Sequence, residues 1–195
     1  MILPIVAYGS PVLKKVAEEI TPDYPDLQEL IDNMWETMYA SSGVGLAAPQ
    51  VGLSVRLFVI DASPFVDEEQ MNAEEIKNLT SFKKVFINPT IVSEDGSFWD
   101  FNEGCLSIPD VREDVARKEE ISLHYFDENF ESHKLKLNGL AARVVQHEYD
   151  HIEGILFTDY LSPLKKRLLK NKLNAISKGA ISVDYRMKFP KKLKR

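Results

Sequence analysis

The chain has 195 residues, a length typical of one globular domain with a short appendage. Its apolar content of 44% is ordinary for such a domain, and no apolar stretch reaches the roughly 18 residues that a membrane-spanning helix requires. The first residues lack a basic segment followed by an apolar one, so no secretory signal is predicted. We therefore expect a cytoplasmic protein that has neither membranes nor DNA as partners.

The formal net charge of −6 conceals a strong asymmetry along the chain. Residues 1–160 contain 12 Lys and Arg against 29 Asp and Glu, a net charge of −17, whereas residues 161–195 contain 12 against 1, a net charge of +11. This predicts an acidic globular domain at 1–160 and a basic C-terminal helix and tail at 161–195. A basic tail suits an RNA-containing partner, and a solvated helix that aids solubility is the alternative.

The first part of the chain indicates one helix and one strand. Between residues 26 and 40, apolar side chains recur at three- and four-residue spacing, as one face of a helix requires. The glycine-rich segment 43–50 is predicted as a loop that leads into a strand at 55–61. Residues 62–80 are acidic and show little periodicity, so we predict a surface insertion whose position relative to any site stays open.

The middle of the chain indicates antiparallel β structure. Four runs of alternating polarity predict short strands, at residues 85–89, 98–101, 121–126 and 132–137. Asp95 and Gly96 are predicted to form the turn between the first two of these strands. A second turn is predicted at residues 127–129.

The last part of the chain indicates two helices. Asn138 precedes a predicted helix at 140–153, and Gly154 supplies a stop just past its end. Ser162, followed by proline, is predicted to begin a further helix. Its apolar stripe would consist of Leu164, Leu168, Leu169, Leu173 and Ile176. Beyond Lys178 we expect loose order. Together these elements predict an α+β fold, with antiparallel sheets packed around a central helix and another helix at the C-terminus.

The central predicted helix carries the pattern H-E-x-x-H, at His147, Glu148 and His151. Positions four apart lie on one face of a helix, so both imidazoles can bind one metal ion. Glu148, next to the first histidine, can then reach a metal-bound water without binding the metal itself. The alternative is a pair of histidines that are merely satisfied polar groups on an acidic helix.

A catalytic metal site of this type needs a third protein ligand, which the residues after the helix do not supply. Phe157 stands where the metzincin pattern has histidine, and no glutamate follows Glu153, which excludes a thermolysin-like arrangement. Cys105, the chain's single cysteine, is the softest donor available. His124 and His133 are the alternatives, although the alternation of their predicted strands places both toward solvent.

Three segments resemble, in the same order, the signature motifs of peptide deformylases. They are Gly-Val-Gly-Leu-Ala-Ala-Pro-Gln at 43–50, Glu-Gly-Cys-Leu-Ser at 103–107 and Gln-His-Glu-Tyr-Asp-His-Ile-Glu-Gly at 146–154. Within these motifs the notable departure is Ile152, where leucine is usual. The resemblance implies a hydrolase that takes the N-formyl group from the formyl-methionine of newly synthesised proteins, with 1–160 as its catalytic domain.

The resemblance also implies roles for individual residues. The implied metal ligands are Cys105, His147 and His151. Glu148 would take a proton from the attacking water and deliver it to the leaving amine. The Gln50 side-chain amide and the Leu106 backbone N–H would donate to the oxyanion of the tetrahedral intermediate. The family implies one ferrous ion, Fe(2+), per chain, whereas a thiolate and two imidazoles alone favour zinc; zinc, nickel or cobalt are expected to substitute.

A substrate site is predicted on the face of the helix that carries the ligands. The backbone of Gly45 could lie against an extended peptide and pair with it as an added strand does. Val44, Leu140 and Val144 are candidates for an apolar pocket around the methionine side chain, and the alternative is that Leu140 and Val144 are simply core. Arg143 lies close to the same face and could reach either substrate or solvent.

Two other functions are compatible with these residues. A metallopeptidase could use the same helix, although the motif around Cys105 argues against it. A structural metal site in a ribosome-associated binding protein is the second, with the basic tail as its functional part. The charge of the tail, together with the family resemblance, also predicts that the enzyme itself contacts the ribosome near the exit of the nascent chain.

Overall fold

Four α-helices and seven β-strands make up the fold in a computed structural model that describes residues 1–67 and 69–190. The helices are α1 (Leu27–Ala40), α2 (Ala73–Thr80), α3 (Gly139–Ile152) and α4 (Pro163–Ser177). The strands are β1 (Ile5–Val6), β2 (Gly45–Ala47), β3 (Leu57–Asp61), β4 (Lys83–Cys105), β5 (Ile108–Phe126), β6 (Ser132–Asn138) and β7 (Met187–Lys188). None of the helices in the described ranges combines the length and the apolarity needed to cross a membrane.

Five of the strands form one antiparallel sheet in the order β2-β3-β4-β5-β6. Its longest pair, β4 and β5, is a hairpin closed by the two residues Leu106 and Ser107, since Cys105 pairs with Ile108 across the turn. At the opposite side of the sheet, β2 is an edge strand. The sheet therefore places Cys105 at a tight turn and leaves one edge of β2 without a partner strand among the described residues.

The predicted turn at Asp95 and Gly96 is wrong, because β4 runs through both residues as one continuous strand. Asp95 pairs with Glu120 and Phe98 pairs with Lys118, so the chain does not reverse between them. The register shifts by one residue at this point, and Gly96 takes a left-handed φ of +77°. The Asp-Gly pair therefore marks a β-bulge, which uses the same glycine conformation as a tight turn.

Two predictions in the first half of the chain are corrected. The segment 43–50 is only partly a loop, because β2 pairs with β3 and a short 3-10 helix follows at Ala48–Val51. The insertion at 62–80 contains α2, whose start is capped by Asn72. The Asn72 side chain accepts from the backbone N–H groups of Glu74 and Glu75, and the Glu75 carboxylate accepts from the Asn72 N–H. The spacing of Asn72 and Glu75 is that of a capping box, which predicts a helix start even though the apolar periodicity of the segment is weak.

The two C-terminal helices begin and end where the sequence indicates. Gly154, with φ of +71°, follows the end of α3, and the Ser162 side chain accepts from the Lys165 N–H at the start of α4. The apolar stripe of α4 is confirmed only in its second half, where Leu169, Leu173 and Ile176 pack against a core cluster. Leu164 and Leu168 are instead 67% and 73% exposed, because the first half of α4 does not pack on that core.

The expectation of loose order beyond Lys178 is wrong for the residues described there. Strand β7 pairs in parallel with β1, with Ile5 opposite Met187 and Val6 opposite Lys188. Residues 191–195 lie outside the described part of the chain. The division into a domain at 1–160 and an appendage at 161–195 stays a prediction.

Helix α3 occupies the centre of the molecule and packs against β2, β3, β5 and β6. Its apolar residues, among them Ala142, Val145 and Ile152, belong to a buried cluster that joins it to the sheet. The predicted α+β class with a central helix is therefore confirmed. Because α3 is covered on most sides, its polar residues must find partners inside the protein.

Candidate active site

The three predicted metal ligands converge at the centre of the fold. Cys105, the last residue of β4, meets His147 and His151 of α3, and one potential ligand atom from each lies within 4.8 Å of the others. The Cys105 Sγ is 3.3 Å from the His151 Nε2. The alternative ligands lie elsewhere: His124 is exposed on β5, and His133 contacts Asp127 in the β5–β6 hairpin.

The orientation of His147 is set by a carboxylate that the sequence analysis left without a role. Its Nδ1–H donates to the Glu103 Oε2 at 2.9 Å, so Nε2 is the ring nitrogen left to bind a metal ion when the imidazole is neutral. Glu103 is 3% exposed. Burial alone would raise its pKa, but the hydrogen bonds from His147 and Arg117 hold the pKa of Glu103 well below its usual range.

A chain of buried ion pairs continues from Glu103 to the second half of the motif. Arg117 donates to both oxygens of Glu103, from Nε at 2.7 Å and from Nη2 at 3.0 Å. Its Nη1 donates to the Asp150 Oδ2 at 2.7 Å, and the Tyr160 hydroxyl donates to the Asp150 Oδ1 at 3.0 Å. Arg117 lies outside the three motifs, and nothing in the sequence pointed to its pairing with Glu103 and Asp150.

Glu148 is placed where a proton shuttle is needed. It is 4% exposed, and its Oε2 has no hydrogen-bond partner among the described residues. Burial raises the pKa of Glu148 to about 7, which is near the value that suits both accepting and returning a proton. A Cβ on Gly45 would lie 2.5 Å from the Glu148 Oε1, so glycine at position 45 is what leaves room for this carboxylate.

Gln50 is held with its amide group against the cysteine. The Ala47 N–H donates to the Gln50 Oε1 at 2.8 Å, which turns the Nε2 toward the Cys105 Sγ, 3.5 Å away. Gln50 is 1% exposed. Leu106 follows Cys105 directly in the hairpin turn. Two potential hydrogen-bond donors, a side-chain amide and a backbone N–H, therefore flank the cysteine.

Gln50, Cys105, Leu106, His147 and Glu148 line a cleft of about 530 Å³. Among the predicted substrate-binding residues, Val44, Gly45 and Val144 line the cleft, together with the ligand His147. Leu140 lies outside this lining and packs against the core cluster of α3, as the alternative interpretation held.

Two aromatic residues of the cleft, Phe65 and Phe101, carried no signal in the sequence. Phe65 lines the cleft, so the segment 62–80 does contribute to the site, and Phe101 of β4 contacts it at 6.2 Å between ring centroids. Arg143 also lines the cleft, and its side chain is buried and held by hydrogen bonds within the protein. Its Nη1 donates to Glu103 at 3.0 Å, and its Nη2 donates to the Trp99 backbone oxygen at 2.7 Å.

The residues present suit a divalent metal ion. Glu103 and Asp150 are balanced by Arg117 and Arg143, which leaves the Glu148 carboxylate as a buried charge with no partner among the described residues. A thiolate beside two neutral imidazoles would add a second negative charge in the same place. A divalent cation compensates both, and one sulfur with two nitrogens is a donor set that zinc and iron accept.

A helix with H-E-x-x-H that meets a further ligand residue, here the Cys105 thiol, in a cleft is typical of metal-dependent hydrolases. A family model described as polypeptide deformylase matches residues 2–167. The peptide deformylase of Christiangramia forsetii is 64% identical over 190 residues, which is 97% of either chain. That of Flavobacterium johnsoniae is 61% identical over 189 residues, covering 97% of this chain and 96% of the relative.

Solved structures show the same relationship. The crystal structure of the Thermus thermophilus peptide deformylase superposes with a TM-score of 0.78 at 38% identity, over 92% of this chain and 99% of that chain. The Legionella pneumophila enzyme superposes with a TM-score of 0.77 at 37% identity, over 92% of this chain and 98% of that one. The chain belongs to the peptide deformylase family and is an enzyme, as the three sequence motifs indicated.

Proposed function

We propose that this enzyme removes the N-formyl group from the N-terminal formyl-methionine of newly synthesised proteins by metal-dependent hydrolysis. The observation that carries the proposal is the convergence of Cys105, His147 and His151 beside the buried Glu148, which has no partner among the described residues, in a cleft. Cys105, His147 and His151 would hold a divalent metal ion, which would supply Lewis-acid activation of water near neutral pH. The protein's own residues account for the remaining steps.

Glu148 is the proton carrier in this mechanism. As a carboxylate it accepts the proton of the attacking water, and as a carboxylic acid it returns that proton to the nitrogen of the leaving peptide amine. Its pKa near 7 makes both transfers accessible, and its isolation from other described donors keeps the carboxylate free for the reacting groups.

Charge that develops on the formyl oxygen meets the donors next to Cys105. The Gln50 amide is held by the Ala47 N–H, so it can donate to the oxyanion without first reorganising. The Leu106 N–H is the second donor. Formate and a free amino terminus are then the products, with the C–N bond of the formamide broken and the amine protonated.

The peptide part of the substrate lies along the edge of the sheet. Strand β2 is an edge strand, and its first residue Gly45 lines the cleft, so an extended peptide can add to this edge through backbone hydrogen bonds. Val44 and Val144 form the apolar pocket for the methionine side chain, with Phe65 and Phe101 beside them. This revises the predicted pocket by replacing Leu140 with aromatic residues.

We assign ferrous iron, one ion per chain, as the physiological metal, on the strength of the family. The sulfur ligand and the two nitrogens also accept zinc, nickel or cobalt. The test is metal analysis of protein purified without oxygen. About one iron per chain supports the assignment, and stoichiometric zinc with full turnover overturns it.

Turnover is tested by measuring formate release from a formyl-Met tripeptide, with the acetyl-Met tripeptide as the matched control. Release of formate without release of acetate is expected. If the protein folds and binds metal but instead cleaves an internal peptide bond, the metallopeptidase alternative replaces this proposal.

The ribosome is the proposed partner of the basic C-terminal part, and the cytoplasm the proposed compartment. The support is the +11 charge of residues 161–195 and the exposure of Leu164 and Leu168 on α4. Ribosome binding that weakens steeply as salt rises is expected, and substitution of Lys165, Lys166 and Arg167 by Gln should reduce the slope. Binding insensitive to both salt and substitution would remove this partner.

A further inference from the structure

The C-terminal segment 179–190 lies beyond residue 167, where the match to the family model ends, yet it returns to the active site. Four of its consecutive residues, Ser182, Val183, Asp184 and Tyr185, line the catalytic cleft. The same cleft is lined on the body of the protein by the stretch that follows Cys105. One part of the cleft wall is therefore supplied by residues that the deformylase motifs do not include.

Hydrogen bonds and packing anchor the residues that directly follow Tyr185. The Ile5 N–H donates to the Arg186 backbone oxygen at 2.8 Å, and the Ala7 N–H donates to the Lys188 oxygen at 2.9 Å, in the pairing of β1 with β7. Met187 and Phe189 pack against the core cluster that contains Leu173 and Ile176 of α4. Tyr185 is thereby held in a defined place in the cleft wall.

The Tyr185 hydroxyl donates to the Leu106 backbone oxygen at 2.7 Å. Leu106 and Ser107 form the two-residue turn between β4 and β5, and the Tyr8 N–H donates to the Ser107 oxygen at 2.8 Å. The two bonds engage consecutive carbonyl groups of the turn. Both bonds restrain the turn that contains Leu106, and the backbone N–H of Leu106 is the proposed oxyanion donor.

We propose that Tyr185 is a positioning residue for deformylation, which fixes the Leu106 turn, and that residues 182–184 form a wall of the cleft in contact with the peptide substrate. This rests on the proposed function. A donor that is already held in place stabilises the oxyanion without reorganisation, so loss of the restraint should slow the chemical step more than it weakens substrate binding.

The test of Tyr185 is the substitution Tyr185→Phe, which deletes the hydroxyl and keeps the ring. The matched control is Tyr24→Phe, since Tyr24 and Tyr185 pack against one core cluster and Tyr24 is outside the cleft lining. For a formyl-Met tripeptide, kcat per bound metal should fall about three- to tenfold in Tyr185→Phe, the effect of one lost hydrogen bond. KM and inhibition by the unformylated product peptide should stay unchanged, and Tyr24→Phe should match the parent.

A purely structural role for Tyr185 would give a different result. Thermal unfolding of both variants is followed alongside the kinetics, and rates are measured well below the melting temperature. Unchanged kcat in Tyr185→Phe overturns the positioning role, as does a rise in KM alone or an equal loss in Tyr24→Phe. Parent protein that releases no formate would instead refute the proposed function, so the two failures are distinguishable.

The wall is tested through the charge of Asp184, an exposed residue of the cleft lining. Asp184→Lys is compared with Asp32→Lys, which makes the same charge change on the exposed face of α1. With formyl-Met-Ala-Lys and formyl-Met-Ala-Glu as substrates, Asp184→Lys should shift the ratio of kcat/KM values about threefold toward the Glu peptide. An identical ratio in both variants would show that the substrate does not pass this wall.

Discussion

Helices α3 and α4 are 14 and 15 residues long and follow one another in sequence, but α3 buries charged residues whereas α4 exposes apolar ones. On α3 the charged side chains of Arg143, Glu148 and Asp150 are buried, whereas on α4 the apolar Leu164 and Leu168 are exposed. The difference shows that hydrophobic periodicity predicts a helix but does not predict whether that helix lies at the centre or at the surface of the protein. Central α3 satisfies Arg143 and Asp150 through a network of ion pairs, and peripheral α4 packs only its second half.

The largest expected effect is the loss of activity on removing the Glu148 carboxylate of α3. Glu148→Ala should lower kcat for a formyl-Met tripeptide by at least about 100-fold, because the proton carrier is removed. Metal content should stay near that of the parent, since the carboxylate is beside the ion and not among its three proposed ligands. Activity at the parent rate would end the mechanism proposed above.

Gly45→Ala tests the space reserved for the same carboxylate. The added Cβ would lie 2.5 Å from the Glu148 Oε1, so we expect kcat to fall by at least about tenfold from displacement of the carboxylate. The control is Gly52→Ala, where the nearest atom to the added Cβ is 3.7 Å away, outside the cleft. Because Gly52 has a left-handed φ of +91°, this variant should lose stability but not kcat, so kcat is compared per folded, metal-loaded enzyme. Equal activity of the two variants would contradict the packing described here.

Arg117→Met removes the cation that joins α3 to β4. Because Glu103 and Asp150 would keep buried charges without their partner, we expect unfolding free energy to fall by about 3 kcal/mol in urea titrations. Lys136→Met breaks an exposed ion pair with Glu120 and should leave the urea midpoint unchanged. Similar midpoints for both variants would mean that the buried network contributes nothing to stability.

The smallest effects are expected on α4. Leu173→Ala should destabilise the protein by about 2 kcal/mol because a buried side chain leaves a cavity, whereas Leu164→Ala should change stability by less than about 0.5 kcal/mol. Urea titration of the two variants checks this. A large loss in Leu164→Ala would show that the first half of α4 is covered in solution by some other surface.

Much of the site could be predicted because its residues sit in local patterns. His147, Glu148 and His151 are brought together by the geometry of a single helix, and Cys105 stands out as the chain's one thiol. Arg117 could not be found in this way, because its partnership with Asp150 depends on how β5 packs against α3.

The sequence by itself determined the fold class and the starts of α1, α3 and α4, since capping signals and helical spacing act over a few residues. It also singled out Cys105, His147 and His151 as candidate metal ligands. Only the tertiary structure decided that β4 continues through Asp95 and Gly96, that Leu140 leaves the cleft and that Tyr185 enters it. Each of these depends on contacts between segments far apart in the chain. Their energies come from packing and pairing that no local pattern encodes.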